Sequence, residues 1–349
     1  MRKLASIQQV AAIEPIDGAD KIELARIEGW QCVVQKGQFH PGDLGVYFEI
    51  DSFLPISPGF GFLAKSCLVH SPILGDGYRL RTMKMRGVLS QGLLMPLYSF
   101  PAISGRAVGD DVTDALGVRE WTTPIPAELA GEFVGPRPAI IPYSDEIRVQ
   151  NGGAALINEF DGLKYYITTK MDGSSHGICV DQDGIFHASS HRMELKDNGR
   201  GFWKLIHEND LDKKLVALRN EMGYETIAVV GEYCGPGIQG NRIGLDRPQW
   251  YIFTVEIDGM RVGLNWTKLV ADAIGQQMVP VEEQGESFNR IYPSVEAVLA
   301  RADGEYSKGH RKEGIVIRPI EPVMSSIVGG YLSMKAVSNK YLLDKHPTL

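Results

Sequence analysis

The chain has little cysteine: Cys32, Cys67, Cys179 and Cys234 are all there is in 349 residues, and they lie dozens of positions apart. With no C-x-x-C pair and no histidines clustered at zinc-ligand spacing, a disulfide framework and a structural zinc centre are both excluded, and the thiols are read as reduced, in a reducing cytosol. Nowhere do about 18 apolar residues run together. The first residues, Met1-Arg2-Lys3-Leu4-Ala5-Ser6-Ile7-Gln8, turn polar before an apolar core of signal length, so neither membrane insertion nor secretion is expected and a cytoplasmic location is. Positive charge is not in excess either. Lys and Arg number 36 against 43 Asp and Glu, a net −7, so any nucleic acid must be held by local patches rather than by a global field. No G-x-x-x-x-G-K-[ST] occurs, which removes a P-loop. Gly235-x-Gly237-x-x-Gly240 spells a dinucleotide fingerprint, but Pro236 interrupts it and the residues after it open no helix. His187 and His191 are read on one strand face without a third ligand, and no zinc site is assigned to them.

What is present is a globular composition, 44% hydrophobic and 23% charged, and enough length for about two domains at roughly 150 residues each. From Leu4 to about Leu97, short β-branched and aromatic runs (Ile22 to Ile27, Gln31 to Val34, Leu44 to Ile50) are punctuated by Gly29, Gly37, Pro41-Gly42-Asp43 and Pro55, the spacing of a small β-barrel. Five prolines between Thr122 and Pro142 mark a linker, which gives a first domain over 1–130 and a second over 131–349. The second reads as mixed α/β. Strands are expected at Tyr165 to Thr169, Thr226 to Glu232, Tyr251 to Ile257, Gly314 to Arg318 and Tyr331 to Val337, with a hairpin over Ile178 to Ser190. Helices are expected at Asp210 to Met222, at Trp266 to Ile274 with Asn265 as N-cap, and at Val295 to Ala302 with Ser294 as N-cap.

The most informative stretch is Thr168-Thr169-Lys170-Met171-Asp172-Gly173-Ser174-Ser175, a strand entering a tight glycine turn and leaving as a second strand, which aims Lys170 into whatever cleft the turn borders. Four further segments follow in order, each on an expected strand: Val230-Gly231-Glu232-Tyr233, Tyr251-Ile252-Phe253-Thr254-Val255-Glu256, Lys312-Glu313-Gly314-Ile315-Val316-Ile317-Arg318 and Ser333-Met334-Lys335-Ala336-Val337. The series resembles the motifs of the covalent nucleotidyltransferase superfamily, the polynucleotide ligases and messenger-RNA capping enzymes. The segment Ile147-Arg148-Val149-Gln150-Asn151 is similar to an element of its RNA-ligase branch. Pro15 to Glu23, Gly42-Asp43 with Tyr47 to Pro55, and Lys84 to Leu93 resemble the amino-terminal OB-like module of Deinococcus-type RNA ligases.

The resemblance implies an α+β, mixed fold: an amino-terminal OB-like β-barrel, then an α/β nucleotidyltransferase domain, ATP-grasp-like, with antiparallel sheets. It implies an ATP-dependent RNA ligase with Mg2+ or Mn2+, in which Lys170 is the nucleophile, Lys335 touches the α-phosphate and Glu313 helps hold metal. Asp172, Gly173, Arg192, Glu232 and Glu256 fall at nucleotide-binding positions. Phe253, which shares a strand face with Tyr251 and Val255 by the period of two, either stacks on the base or serves the core. The family commonly carries its stacking Phe directly before the acidic residue, where this chain has Val255, and many relatives have Lys-x-Lys where this chain has Lys335-Ala336-Val337; Lys340 is a candidate for the missing contact. An ammonium cannot attack phosphorus, so Lys170 must lose a proton against a reference pKa of about 10.4, and Lys335 with a bound metal could lower it. In the barrel, Lys84, Arg86 and Gln91, taken as an exposed cluster, either grip phosphate and sugar or form a solvated hairpin. The implied partner is RNA or an RNA-containing nicked duplex, with no membrane and an open oligomeric state; repair of broken RNA follows by analogy. A DNA ligase, a capping-type guanylyltransferase and a non-catalytic RNA-binding protein are the alternatives.

Overall fold

The computed structural model describes residues 2–124, 131–143 and 145–345. Pro126, one of the five linker prolines, lies outside them. The chain divides into two compact units: 2–124 with 342–345 of the last helix, Asn339–Lys345, in one, and 131–341 in the other.

The strand pairs of the first unit's sheets are antiparallel. Leu44–Phe48 is the centre of a three-stranded sheet, flanked by Ala5–Gln9 and Leu93–Pro96, with Ile7 and Met95 both opposite Val46. Both of its faces are buried, which is why it reads as an unbroken apolar run. Phe48 packs with Ile7, Leu54 and Phe60, whereas its neighbour Tyr47 points to the opposite side, among Ile27, Trp30 and Leu94. Ala12–Pro15, Ile22–Ile27 and Trp30–Gln35 make a second sheet, and Leu68–Ser71, Gly75–Arg79, Ser52–Pro55 and Arg119–Glu120 a third. Thr82–Met85 and Val88–Gln91 form a hairpin whose two turn residues, Arg86 and Gly87, have φ of 47° and 82°, the left-handed pair that a two-residue turn requires. Arg86 is exposed there and Lys84 is half-buried, its Nζ donating to the Leu343 carbonyl at 3.3 Å. The expected exposure of Gln91 is wrong. It is 1% exposed, and its carbonyl accepts from Tyr47 Oη at 2.9 Å. A polar residue on a strand packed against a second strand went inside, where hydropathy alone puts it outside.

The second unit is built on two sheets. Five strands run in the order Ile147–Arg148, Met334–Val337, Gly314–Pro319, Lys164–Lys170, Val281–Glu286, antiparallel except for the first pair. Helices Val149–Asn158 and Val295–Arg301 pack on it through Leu156 and Val298, against Ile167 and Ile317. Ser294 caps the second of these, its Oγ accepting from Ala297 N at 3.2 Å. The eight-stranded sheet includes Ser174–Val180, Ile227–Cys234 and Gln249–Ile257 as consecutive neighbours. Gly201–Glu208, Leu211–Met222 and Leu264–Ile274 cover it through Phe202, Leu215 and Ile274. Helix Leu264–Ile274 has Gly263 as N-cap, so Asn265 lies within its first turn; burial of Leu264 anchors the start earlier than the polar residue suggests.

One register shift matters for the site. Gly231 pairs with Ile252 and Val230 with Thr254, which leaves Phe253 as a surplus residue, a β-bulge. The bulge breaks the period of two. Ile252 and Val255 therefore share the helix-covered face, while Tyr251 packs with Met171 and Val279 on the other. Val255 does not share a face with Tyr251 and Phe253 as the alternation predicts. Strand Phe186–Ser189 also stops short of His191, so His187 and His191 do not share a strand.

Candidate active site

Lys170 is the last residue of a strand in the five-stranded sheet and Ser174 the first of a strand in the eight-stranded one, so the turn Met171–Gly173 carries the chain between sheets. A Cβ at Gly173 would sit 2.5 Å from the Tyr233 carbonyl and 2.6 Å from Cys234 Sγ. The glycine is thus required by the strand packed beneath the turn, a constraint the sequence does not reveal. Along this junction lies a cavity of about 320 Å³, the size of a small-ligand pocket. Lys170, Gly173, Glu232, Phe253, Arg318 and Lys335 line it, with Asp145, Glu146 and His191 among the other polar walls.

Lys170 Nζ donates to Glu313 Oε2 at 2.7 Å. Glu313 is fixed beside it because Gly314, which follows, pairs with Lys170 across the sheet; a Cβ at Gly314 would run into the Ala336 carbonyl. Tyr306 Oη braces both partners, donating to the Lys170 carbonyl at 2.7 Å and accepting from Glu313 N at 3.0 Å. Behind them Glu282 accepts from Thr169 Oγ1 at 2.7 Å, Lys312 Nζ at 2.7 Å and Arg301 Nη1 at 2.8 Å, tying the strand before Lys170 to the residue before Glu313. Tyr306, Glu282 and Arg301 lie outside every motif segment.

The electrostatics run opposite to a lysine poised as a free amine. Burial disfavours the charge on Lys170, but Glu313, then Glu232 and Glu146, outweigh it and hold the ammonium above the ordinary lysine range. Burial, opposed by Lys170 and reinforced by Glu313, Asp172 and Glu146, raises the Glu232 carboxyl to about 7. Lys335, with Val316 and Arg148 as its sheet partners, is lowered by burial and then by Lys170 and Arg148. Asp145, Glu146 and Glu232 on the cavity wall, with Glu313 beside Lys170, supply oxygen donors of the kind that suit a hard divalent cation sharing its ligands with phosphate. Among the described residues no group of three His, Cys, Asp or Glu side chains stands ready to hold a metal by itself.

Several expected site residues lie elsewhere. Asp172 is 4% exposed and accepts from Tyr341 Oη at 2.5 Å, with Arg242 Nε at 4.0 Å, so it anchors the turn rather than lining the cavity. Arg192 is exposed and does not line the cavity; its neighbour His191 does, with Nε2 3.5 Å from Asp145. Glu256 is turned away to Arg261, at 3.8 Å. Lys340 pairs with Asp303 at 2.8 Å. The bulge, by contrast, brings Phe253 to the cavity wall.

A family model for RNA ligase matches residues 163–337, and one for an OB-fold domain matches residues 4–97. Among solved structures the chain is similar to a mutant apo form of Naegleria gruberi RNA ligase, 33% identical over 99% of this chain and 98% of that one, with a TM-score of 0.79. The same ligase with PPi is 33% identical over 99% of both chains at a TM-score of 0.78, and a mutant of it with ATP and Mn is 32% identical over 99% of both at 0.80. No curated protein sequence matches the chain. An OB-fold domain followed by a ligase domain of mostly antiparallel sheets is the expected architecture. With solved RNA-ligase structures matching 99% of it at 32–33% identity, and the RNA ligase family model spanning Lys170, Glu232, Glu313 and Lys335, the chain belongs to the RNA ligase family.

Proposed function

We propose that this chain is an ATP-dependent ligase that joins 3′-hydroxyl and 5′-phosphate ends at breaks in RNA-containing duplexes, through a lysyl-AMP on Lys170. The observation that carries the reading is a lysine at the end of a strand, paired with Glu313 and facing a second lysine, Lys335, across a nucleotide-sized pocket. The relative solved with ATP and Mn supports the choice of nucleotide and metal.

In this reading the Lys170 amine attacks the α-phosphorus of ATP. An N–P bond forms, the bond to the bridging oxygen breaks, pyrophosphate leaves and Nζ gives up a proton. Lys335 offsets the negative charge that builds on the phosphate oxygens. Glu232 faces the ribose hydroxyls as acceptor and Phe253 stacks on the base. Glu313 would help hold a divalent metal, whose positive charge would offset the carboxylates around Lys170 and so favour loss of its proton. The AMP then passes to a 5′-phosphate, and a 3′-hydroxyl displaces it. Arg86 and Lys84, on the hairpin of the first unit, contact phosphate and sugar, and sealing of broken RNA is the cellular role.

The test is incubation with α-labelled ATP or GTP and Mg2+ or Mn2+, read on a denaturing gel for wild type and Lys170→Ala. Label from ATP, absent in the variant and discharged by a nicked duplex with an RNA 3′-hydroxyl, is the expected result. Label from GTP would replace this reading with capping chemistry. Absence of label, once prior adenylylation is excluded by mass, would leave an RNA binder.

A further inference from the structure

The reaction outlined above makes no use of the most buried ion pair in the pocket, Glu146 with Arg318. Arg318 is 6% exposed. One arm of its guanidinium donates to Glu146, while the other donates to the Phe253 carbonyl and to Thr254 Oγ1, the latter at 3.1 Å. Its central carbon stands 5.6 Å from the centre of the Phe253 ring. Arg318 comes from the five-stranded sheet and Phe253 from the eight-stranded one, so this contact spans the two sheets at the cavity wall.

Two features need explaining together. A buried ion pair is poor value as a source of stability, because apolar side chains of similar volume serve as well. A bulge sacrifices ladder pairing, and bulges persist where they aim a side chain. Here the bulge residue is the one the guanidinium holds. A planar fork can hold a carbonyl, a hydroxyl and a carboxylate at fixed angles, which an ammonium cannot. A cation over one face of a phenyl ring also fixes the ring's plane.

We propose that Arg318, oriented by Glu146, is the positioning residue that maintains the bulge and presents Phe253 as the platform for the purine base. The proposal rests on the ligase reading of this pocket. Arg318 acts through Phe253 and touches no reacting atom.

The experiment is steady-state formation of lysyl-AMP, together with its reversal by pyrophosphate, in wild type, Phe253→Ala, Arg318→Lys, Arg318→Met with Glu146→Gln, and the Phe253→Ala/Arg318→Lys combination. The paired substitution is included because Arg318→Met alone would strand Glu146; Arg318→Lys keeps the charge and loses the fork. Phe253→Ala is expected to raise the KM for ATP roughly tenfold or more, as loss of one base-stacking contact does. Both Arg318 variants should raise it similarly, leave the KM for pyrophosphate within about twofold, and add nothing when combined with Phe253→Ala. Multiplying effects in the combination, or a parallel rise in both KM values, would overturn the positioning role while leaving the ligase reading intact. An unchanged KM for ATP in Phe253→Ala would remove the platform and the proposal with it. Absence of lysyl-AMP in the wild type would instead defeat the ligase reading itself.

Discussion

Lys170 is surrounded by carboxylates, and those carboxylates set the pH at which it can act. Because Glu313, Glu232 and Glu146 raise its pKa, the neutral amine is the minor form at pH 7, and the rate of lysyl-AMP formation should climb about tenfold per pH unit until the apparent pKa is reached. Glu313→Gln removes the largest of the opposing carboxylates and should move that profile down by about one unit or more; labelling rates from pH 6 to 9 follow the displacement of its rising limb. Glu232 titrates near 7 against an ordinary 4.5, so the folded protein holds its proton more tightly than the unfolded chain does. Its contribution to stability is fully present below about pH 4.5 and is lost as pH rises through 7. Glu232→Gln should flatten that loss, so its advantage in Tm over wild type should widen from pH 5 to 8, by about 2–4 °C for each kcal/mol relieved. At this scale the sequence was legible for the grouping of Lys170, Glu313 and Lys335, which the fold brings together at one cavity. It was not legible for Glu146, Tyr306 or Arg318, whose roles arise from strands that meet only in three dimensions. Asp172 and Glu256 show the converse: an acidic residue near a motif went to a tyrosine and an arginine instead of the cavity.

Among the elements, the two strand-end glycines carry the geometry. Gly314→Ala drives a methyl group into the Ala336 carbonyl and should cost about 2 kcal/mol or more in chemical denaturation, because backbone has nowhere to retreat. Ser294→Ala, remote from the pocket, removes an N-cap and should cost about 1 kcal/mol with labelling unchanged. Strands and helices with clear period were readable, among them Leu211–Met222, closed at Gly223 in the left-handed conformation. The bulge at Phe253 was not, since an extra residue in one strand is defined only by what stands opposite it.

Across the whole molecule, a net charge of −7 obliges RNA contact to be local, and the exposed turn at Arg86 is one basic feature of the first unit. Arg86→Ala should weaken binding of a nicked duplex and reduce the slope of log K against log salt by about one, with lysyl-AMP formation unaffected, as a titration in 50 to 200 mM salt would show. Among the described residues no helix is long and apolar enough to cross a membrane. The strand, turn, strand path through Lys170 has one more outcome. In the proposed reaction an adenosine tethered to Lys170 at the end of one sheet and stacked on Phe253 of the other would be a staple, added to the turn and the Arg318 contacts that already join the two sheets. The charged enzyme should melt higher than the free one, and a simple thermal shift would then count the fraction of molecules loaded and waiting for a broken end.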